Sequence, residues 1–291
     1  MRPLAPIAAA LLCAVFAAGP LAAAPPPAEG EAGAHHGGPA EILMHHVVDL
    51  RYGDLYLFGL NMGPTRHLAF FVAAALIVLV LVRLAMRSYR QRVPYGLGAA
   101  VEALVVFVRD EIAEKNIGHD GRKFTPLLLS FFFFILVAAL LGLMPFSATS
   151  TGNISVTMGL AVVAFLAMQW AGISKYGVVH HFAAMVPPGL PKWLLPIMIP
   201  VELLGMFSRP FALMVRLFAN MLAGHMVIAT LLLLIPLMAA VSTAFGILMI
   251  PISLLLALFI MFLEILVAFI QAYIFTLLTS IFIGMSAHPS H

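Results

Sequence analysis

The sequence predicts an all-α membrane protein: about five membrane-embedded helices, one amphipathic helix at the cytoplasmic surface, and a long tilted hairpin made by the last two helices. Three observations carry that reading. The 291 residues are 63% hydrophobic and 9% charged, where a soluble domain carries about 25% charged residues. Several apolar runs exceed the roughly 20 residues that span a bilayer. Those runs do not alternate as barrel strands would, and lipid admits only helices or closed barrels. The net charge of +3 does not point to nucleic acid, because the basic residues cluster beside the spans. The lone cysteine, Cys13, excludes a disulfide framework.

Taken in order, residues 1–24 read as a secretory signal peptide. Arg2 is the positive start, Leu4 to Phe16 the short apolar run, and Ala22-Ala23-Ala24 the small-residue cleavage region. The alternative is an uncleaved tail. Residues 25–66 form an exported segment whose first part is rich in Pro, Ala, Gly and His. Its His35-His36 and His45-His46 pairs lack a spaced third ligand for a metal. A single membrane domain, 67–287, follows.

The first span covers 67–86. Arg83, Arg87, Arg90, Arg92, Arg109, Lys115, Arg122 and Lys123 come after or at its end, whereas the segment before it holds Arg51 and Arg66. This asymmetry sets residue 90 in the cytoplasm and the N-terminus outside. In 95–118, Val101, Leu104, Val105, Val108 and Ile112 recur at helical spacing, with Glu102, Arg109, Asp110, Glu111 and Lys115 on other faces. That pattern is an amphipathic helix on the membrane surface or against a partner. Spans at 124–144 and 154–173 follow, the former with a Phe131–Phe134 run facing lipid or neighbours. Lys175 and Lys192 return the chain to the cytoplasm, and the prolines from Pro187 to Pro196 make the next loop rich in turns.

The last two helices, 197–237 and 245–285, are each about 40 residues, or near 60 Å. That is twice the apolar thickness of a bilayer, and no polar loop divides either one. Strong tilt in an antiparallel hairpin resolves the excess. Arg216 lies in the middle of the first of these helices. A guanidinium keeps its proton at any biological pH, and at bilayer depth it costs roughly 2.5 kcal/mol or more.

Spacing locates the other polar groups. Glu202, Arg209 and Arg216 are seven apart and share a stripe, which Asn220 joins. His225, nine beyond Arg216, falls on the opposite side and about 13 Å further along. Glu264 and Gln271 share a face of the second helix. Arg216 with Gln271, His225 with Glu264, and Pro236 with Pro251 all centre on one turn at Ser242-Thr243. Titratable groups at this depth mark an ion or proton path: His225 and Glu264 can exchange protons, and Arg216 is a fixed charge. The alternatives are a structural His225–Glu264 pair and an arginine that snorkels, which is also the expectation for Arg209.

These residues resemble a known family. Arg216-Leu217-Phe218-Ala219-Asn220-Met221, continuing to Ala223-Gly224-His225, is similar to the central motif of subunit a of F-type ATP synthases. Glu264 with Gln271 to Thr279 is similar to that subunit's last helix, and Leu141 to Pro145 with Thr149, Thr151 and Thr157 to its second-to-third span region. The likeness covers about 41–287. His225 with Glu264 is the mitochondrial-like arrangement. Two positions depart from the family's pattern: Ala139 stands where Asn is common, and Phe282 where Tyr is common.

The resemblance implies a stator subunit in the bacterial inner membrane, with its C-terminus cytoplasmic, facing a rotating ring of c subunits that each carry a buried carboxylate. It implies a peripheral stalk of subunit b, or b and b′, and an indirect link to the F1 sector. Protons would reach the ring from outside by a half-channel that includes His225 and Glu264, and leave by one that includes Glu202 and Ser208. Arg216 would stand between the two as an electrostatic gate, positioned by Asn220 and Gln271. No cofactor is implied. No Gly-rich phosphate loop is present, so ATP chemistry falls to other subunits. A secondary transporter would show a repeat with paired broken helices, and none is visible. A metalloenzyme would need more clustered ligands than His225 and Glu264 supply.

Overall fold

The computed structural model describes residues 56–57, 60–61, 66–88, 96–143, 154–178 and 195–287. The expected signal peptide, both N-terminal His pairs, and the loops carrying Thr149, Thr151, Lys192 and the Pro187–Pro191 prolines lie outside them. Before the helices comes a minimal antiparallel ladder, β1 (Tyr56–Leu57) with β2 (Leu60–Asn61), registered Tyr56 to Asn61 and Leu57 to Leu60. The sequence reading contains no strand there, because two-residue strands carry no periodicity to detect.

The helices follow in order: α1 (Arg66–Ser88), α2 (Leu97–Phe107), α3 (Gly121–Gly142), α4 (Ile154–Tyr176), α5 (Leu195–Val241) and α6 (Thr243–Ala287). Helices α3 to α6 are each long and apolar enough to cross a membrane. Helix α1 runs 23 residues, with its described apolar stretch at Phe70–Arg83. Helices α1, α5 and α6 extend a few residues beyond both ends read from sequence; α3 begins three residues earlier and ends two residues sooner than expected, α4 runs three residues further, and the amphipathic segment is α-helical only to Phe107 before its geometry changes.

Helix α3 is the hub. Phe131, Phe132, Phe133 and Phe134 are all buried, so the aromatic run faces neighbours rather than lipid. Phe134 meets Phe71 of α1 with ring centroids 4.9 Å apart, and Phe131 meets Phe275 of α6 edge-on at 5.4 Å. Lipid tails are as apolar as these side chains, so the helices associate through close packing and hydrogen bonds and not through exclusion of water.

The segment after α2 is not one straight helix. It widens to π-helical geometry over Val108–Glu114, returns to α over Lys115–Ile117, and tightens to a 3-10 turn over Gly118–Asp120. Gly118, at φ 79°, makes the break in a region that favours glycine. The cause of the widening is tertiary. Ser280 of α6 donates its hydroxyl to the Ile112 carbonyl at 2.8 Å, and Asn116 Nδ2 donates to the same oxygen at 2.7 Å. Gly284 of α6 packs directly on the Asn116 carbonyl, where a Cβ would overlap it. The apolar side of the segment is thus covered by the chain's own α3 and α6, with Val108, Ile112, Ala113 and Ile117 buried. Its charges face outward as short ion pairs: Arg109–Asp110 at 2.6 Å, Arg122–Glu114 at 2.7 Å and Lys123–Asp120 at 2.9 Å. Lys175 of α4 reaches Asp120 at 3.5 Å. Hydrogen bonding and charge from Lys123, then the charge of Lys175, hold the Asp120 carboxyl below its usual range.

Helices α5 and α6 are 47 and 45 residues long, about 70 Å each. Ser242 is the sole non-helical residue between them. Gly246 sits against Ala239 so closely that an added Cβ would come within 2.6 Å of the Ala239 Cβ. At the other end Tyr176 donates its hydroxyl to the Ala287 carbonyl at 3.1 Å, tying the end of α6 to the end of α4.

Candidate functional site

Two contacts fix the register of the hairpin. Gly246 meets Ala239, and the Glu264 carboxylate lies against Gly224, where a Cβ would occupy its space. Continued inward, this register sets Arg216 level with Gln271 and Ala272. The depth arithmetic therefore agrees with the fold; Arg216 is exposed, while His225 is half-buried.

The polar residues fall into three groups along the hairpin. At the end away from the hairpin turn, Arg209 approaches Glu202 at 3.9 Å and lies over the Phe282 ring, 5.4 Å from its centroid. Phe282 supplies a face for the guanidinium. Ser208 donates back to the Gly205 carbonyl at 3.0 Å. In the middle, Arg216 projects from α5 with no ion-pair or hydrogen-bond partner among the described residues. Asn220 and Gln271 are half-buried near it.

Beyond them is the third group. His225 Nε2 and both Glu264 oxygens are buried without a hydrogen-bond partner among the described residues. The two side chains are level, yet no direct bond joins them. A cavity of about 230 Å³ opens at this level, lined by Ala139 of α3, Asn220 and Gly224 of α5, and Glu264 and Ala268 of α6. Such a space holds several waters. Ala139 makes the cavity wall there small and apolar.

Gly224 and Ser253 are missing from the sequence-level site. Gly224 matters through Glu264, forty positions on, and only the hairpin register connects them. Ser253 is eleven residues before Glu264, a spacing that returns to the same helix face, and that signal was legible. Among the described residues no group of three or more His, Cys, Asp or Glu is spaced to hold a metal.

A polytopic helical protein with a fixed cation, two titratable groups at one level and a cavity within its long apolar helices fits the class of ion-conducting membrane subunits. Comparison with known proteins makes the class specific. The family model described as ATP synthase A chain matches residues 68–284, and the chain belongs to that family. ATP synthase subunit a of Anaeromyxobacter dehalogenans is 46% identical over 288 residues, covering 88% of this chain and 73% of that protein. The subunit a of Chloroherpeton thalassium is 44% identical, with 85% and 77% covered. ATP synthase subunit a 2 of Prosthecochloris aestuarii is 40% identical, with 93% and 89% covered. The chain is a multi-pass membrane protein of a bacterial ATP synthase, the proton-conducting stator subunit of Fo, and has no catalytic site of its own.

Proposed function

We propose that Arg216 is the electrostatic gate of this subunit, facing the carboxylates of a moving c-ring and separating two proton half-channels. The observation that carries this reading is the state of Arg216: mid-helix, exposed, and without an acidic partner among the described residues. Glu202, the carboxylate on its stripe, is engaged by Arg209. In this reading the countercharge comes from another chain, and the length and exposed outer face of the hairpin suit a ring. A pair of unit charges 4 Å apart in a partly screened site attract by about 4 kcal/mol. That lowers a carboxylate pKa by about three units, enough to strip the proton from each ring site as it passes. The electrical driving force, about 2.3 kcal/mol per charge per 100 mV, is of the same order, so the ring site is neither locked to the arginine nor indifferent to it.

The outer half-channel runs through the cavity lined by Glu264, with His225 at the same level, and Asn220 and Gln271 orient the centre. The inner one leaves past Glu202 and Ser208. The orientation follows from charge. Lys123 and Lys175 meet Asp120 at the end of the bundle where Ala287 is tied to Tyr176. By the positive-inside rule this end is cytoplasmic, so the C-terminus is cytoplasmic, the N-terminus is outside, and the hairpin turn faces the exported side of the inner membrane. The outward charges of 108–123 suit a peripheral stalk of subunit b, or b and b′, through which the F1 sector is held.

The test is Arg216→Ala in the complete ATP synthase. Membrane vesicles carrying it should assemble the complex at parent levels and make no ATP from an imposed proton gradient. Coupled synthesis at a parent-like rate would overturn the gate.

A further inference from the structure

Buried polar atoms sort by position along the hairpin. In the half of α6 docked on the bundle, Thr276, Thr279 and Ser280 are buried and all three hydroxyls donate, to Ala272, Phe275 and Ile112 carbonyls. Toward the turn the opposite holds. The buried side-chain nitrogen and oxygen atoms without a partner among the described residues are His225 Nε2, both Glu264 oxygens and Ser253 Oγ. The first three belong to the outer path described above; Ser253 does not.

Ser253 is 1% exposed. A helical serine in an apolar setting ordinarily donates to a carbonyl three or four residues back, as Ser208 and Thr230 do here. Ser253 Oγ makes no such bond. It lies on the buried face that also carries Gly246, Ala257 and Ala268. The register set by Gly246 and Glu264 turns that face toward Leu232–Leu234 of α5. Eleven residues separate Ser253 from Glu264, about 16 Å along the helix, and Ala257 is a small buried residue between them. A buried hydroxyl takes a partner in the folded protein, and where no protein group serves, water does.

We propose that Ser253 is a water-holding station of the outer proton path, three helical turns beyond Glu264 toward the hairpin turn. The proposal rests on the outer path through His225 and Glu264. As a proton arrives on the water before it, the hydroxyl accepts that proton and releases its own to the water after it. The hydroxyl ends neutral, the proton has moved one station inward, and no other reactant is needed. The competing account makes Ser253 a small residue that lets two helices approach, like Gly246 near the turn. The two differ over the hydroxyl, since alanine keeps the size and removes the oxygen.

The experiment uses the complete ATP synthase in vesicles. With parent-like assembly, Ser253→Ala should slow ATP-driven proton pumping and gradient-driven synthesis roughly two- to tenfold, the range spanned by one lost net hydrogen bond. Ser253→Thr, which restores a hydroxyl, should recover most of the flow. In a Cys13→Ala background, Ser253→Cys should react with silver ion added on the turn side, and the reaction should stop proton flow. Parent-like flow in Ser253→Ala, or a thiol at this position that silver does not reach, overturns the proposal; the labelling decides the matter if Ser253→Ala fails to assemble. Glu264→Gln run alongside separates the two levels. Lost flow there with parent-like flow in Ser253→Ala rejects the station alone, whereas parent-like flow in both rejects the outer path.

Discussion

The two halves of α6 are built differently. The half from Ala268 to Ala287 is docked: its Phe275, Thr276, Thr279, Ser280, Ile283 and Gly284 are buried, and its buried hydroxyls are all bonded. The half from Thr243 to Val267 is mostly exposed. It buries Gly246, Ser253 and Ala257, and holds the unbonded polar atoms of Ser253 and Glu264. The contrast teaches how one apolar helix serves two purposes. Where polar groups find protein partners, the helix is an anchor. Where they do not, the helix borders a wet space, because an unpaired buried polar group costs about 1–3 kcal/mol unless something else bonds it.

Matched changes at two glycines probe that contrast most sharply. Gly→Ala inside a helix is ordinarily favourable by about 1 kcal/mol, so a loss reports the contact and not the backbone. Gly224→Ala pushes on the Glu264 carboxylate. It should leave the complex assembled and lower ATP-driven proton pumping roughly ten- to a hundredfold, the penalty of displacing a working group by about 1 Å. Gly284→Ala pushes on the Asn116 backbone carbonyl, which cannot swing aside. It should destabilise the subunit by roughly 1–3 kcal/mol, read as a lower melting temperature and less assembled complex, with normal flow per complex that remains. Pumping lost equally in both variants at equal assembly would erase the distinction between the halves.

A smaller effect is expected at Ser280. Removing its hydroxyl with Ser280→Ala leaves the Ile112 carbonyl its bond from Asn116, so about 0.6 kcal/mol is lost, the average for an interhelical hydrogen bond in a membrane protein. Smallest of all is the Asp120 cluster, whose charges are substantially exposed and screened. Its sign is nonetheless fixed. The folded Asp120 pKa is lowered, chiefly by the Lys123 hydrogen bond, so its contribution is complete above the ordinary 3.8 and is lost as pH falls through the folded value. The melting difference between parent and Asp120→Asn should therefore be small at neutral pH and vanish in acid below that value.

How much of this was legible in the sequence differs by feature. The spans were, because twenty apolar residues in lipid have one regular solution. The depth of Arg216, His225 and Glu264 was, because an antiparallel hairpin turns sequence distance into height. Its ends were less so: Ala239, Ala240, Val241, Thr243 and Ala244 include no helix breaker, so the helices continue to within one residue of each other. The π-helical stretch was hidden because it answers to Ser280 and Gly284, far along the chain. Gly224 was hidden for the same reason, and the unbonded hydroxyl of Ser253 because a helical serine is ordinarily silent. The Glu202–Arg209 contact was implicit in their shared stripe, but the Phe282 ring beneath the arginine required the fold.

The one-residue bend at Ser242 has a mechanical consequence. Two rods of some 70 Å joined by a flexible loop would slide and splay under a sideways push. A bend with no slack makes them a single beam, so a load on one arm is shared at once by the other. The beam is held at its far end, by Gly284 on Asn116, Ser280 on Ile112 and Tyr176 on Ala287. A stator subunit has to resist such loads, and here the stiffness and the clamp come from the same helix.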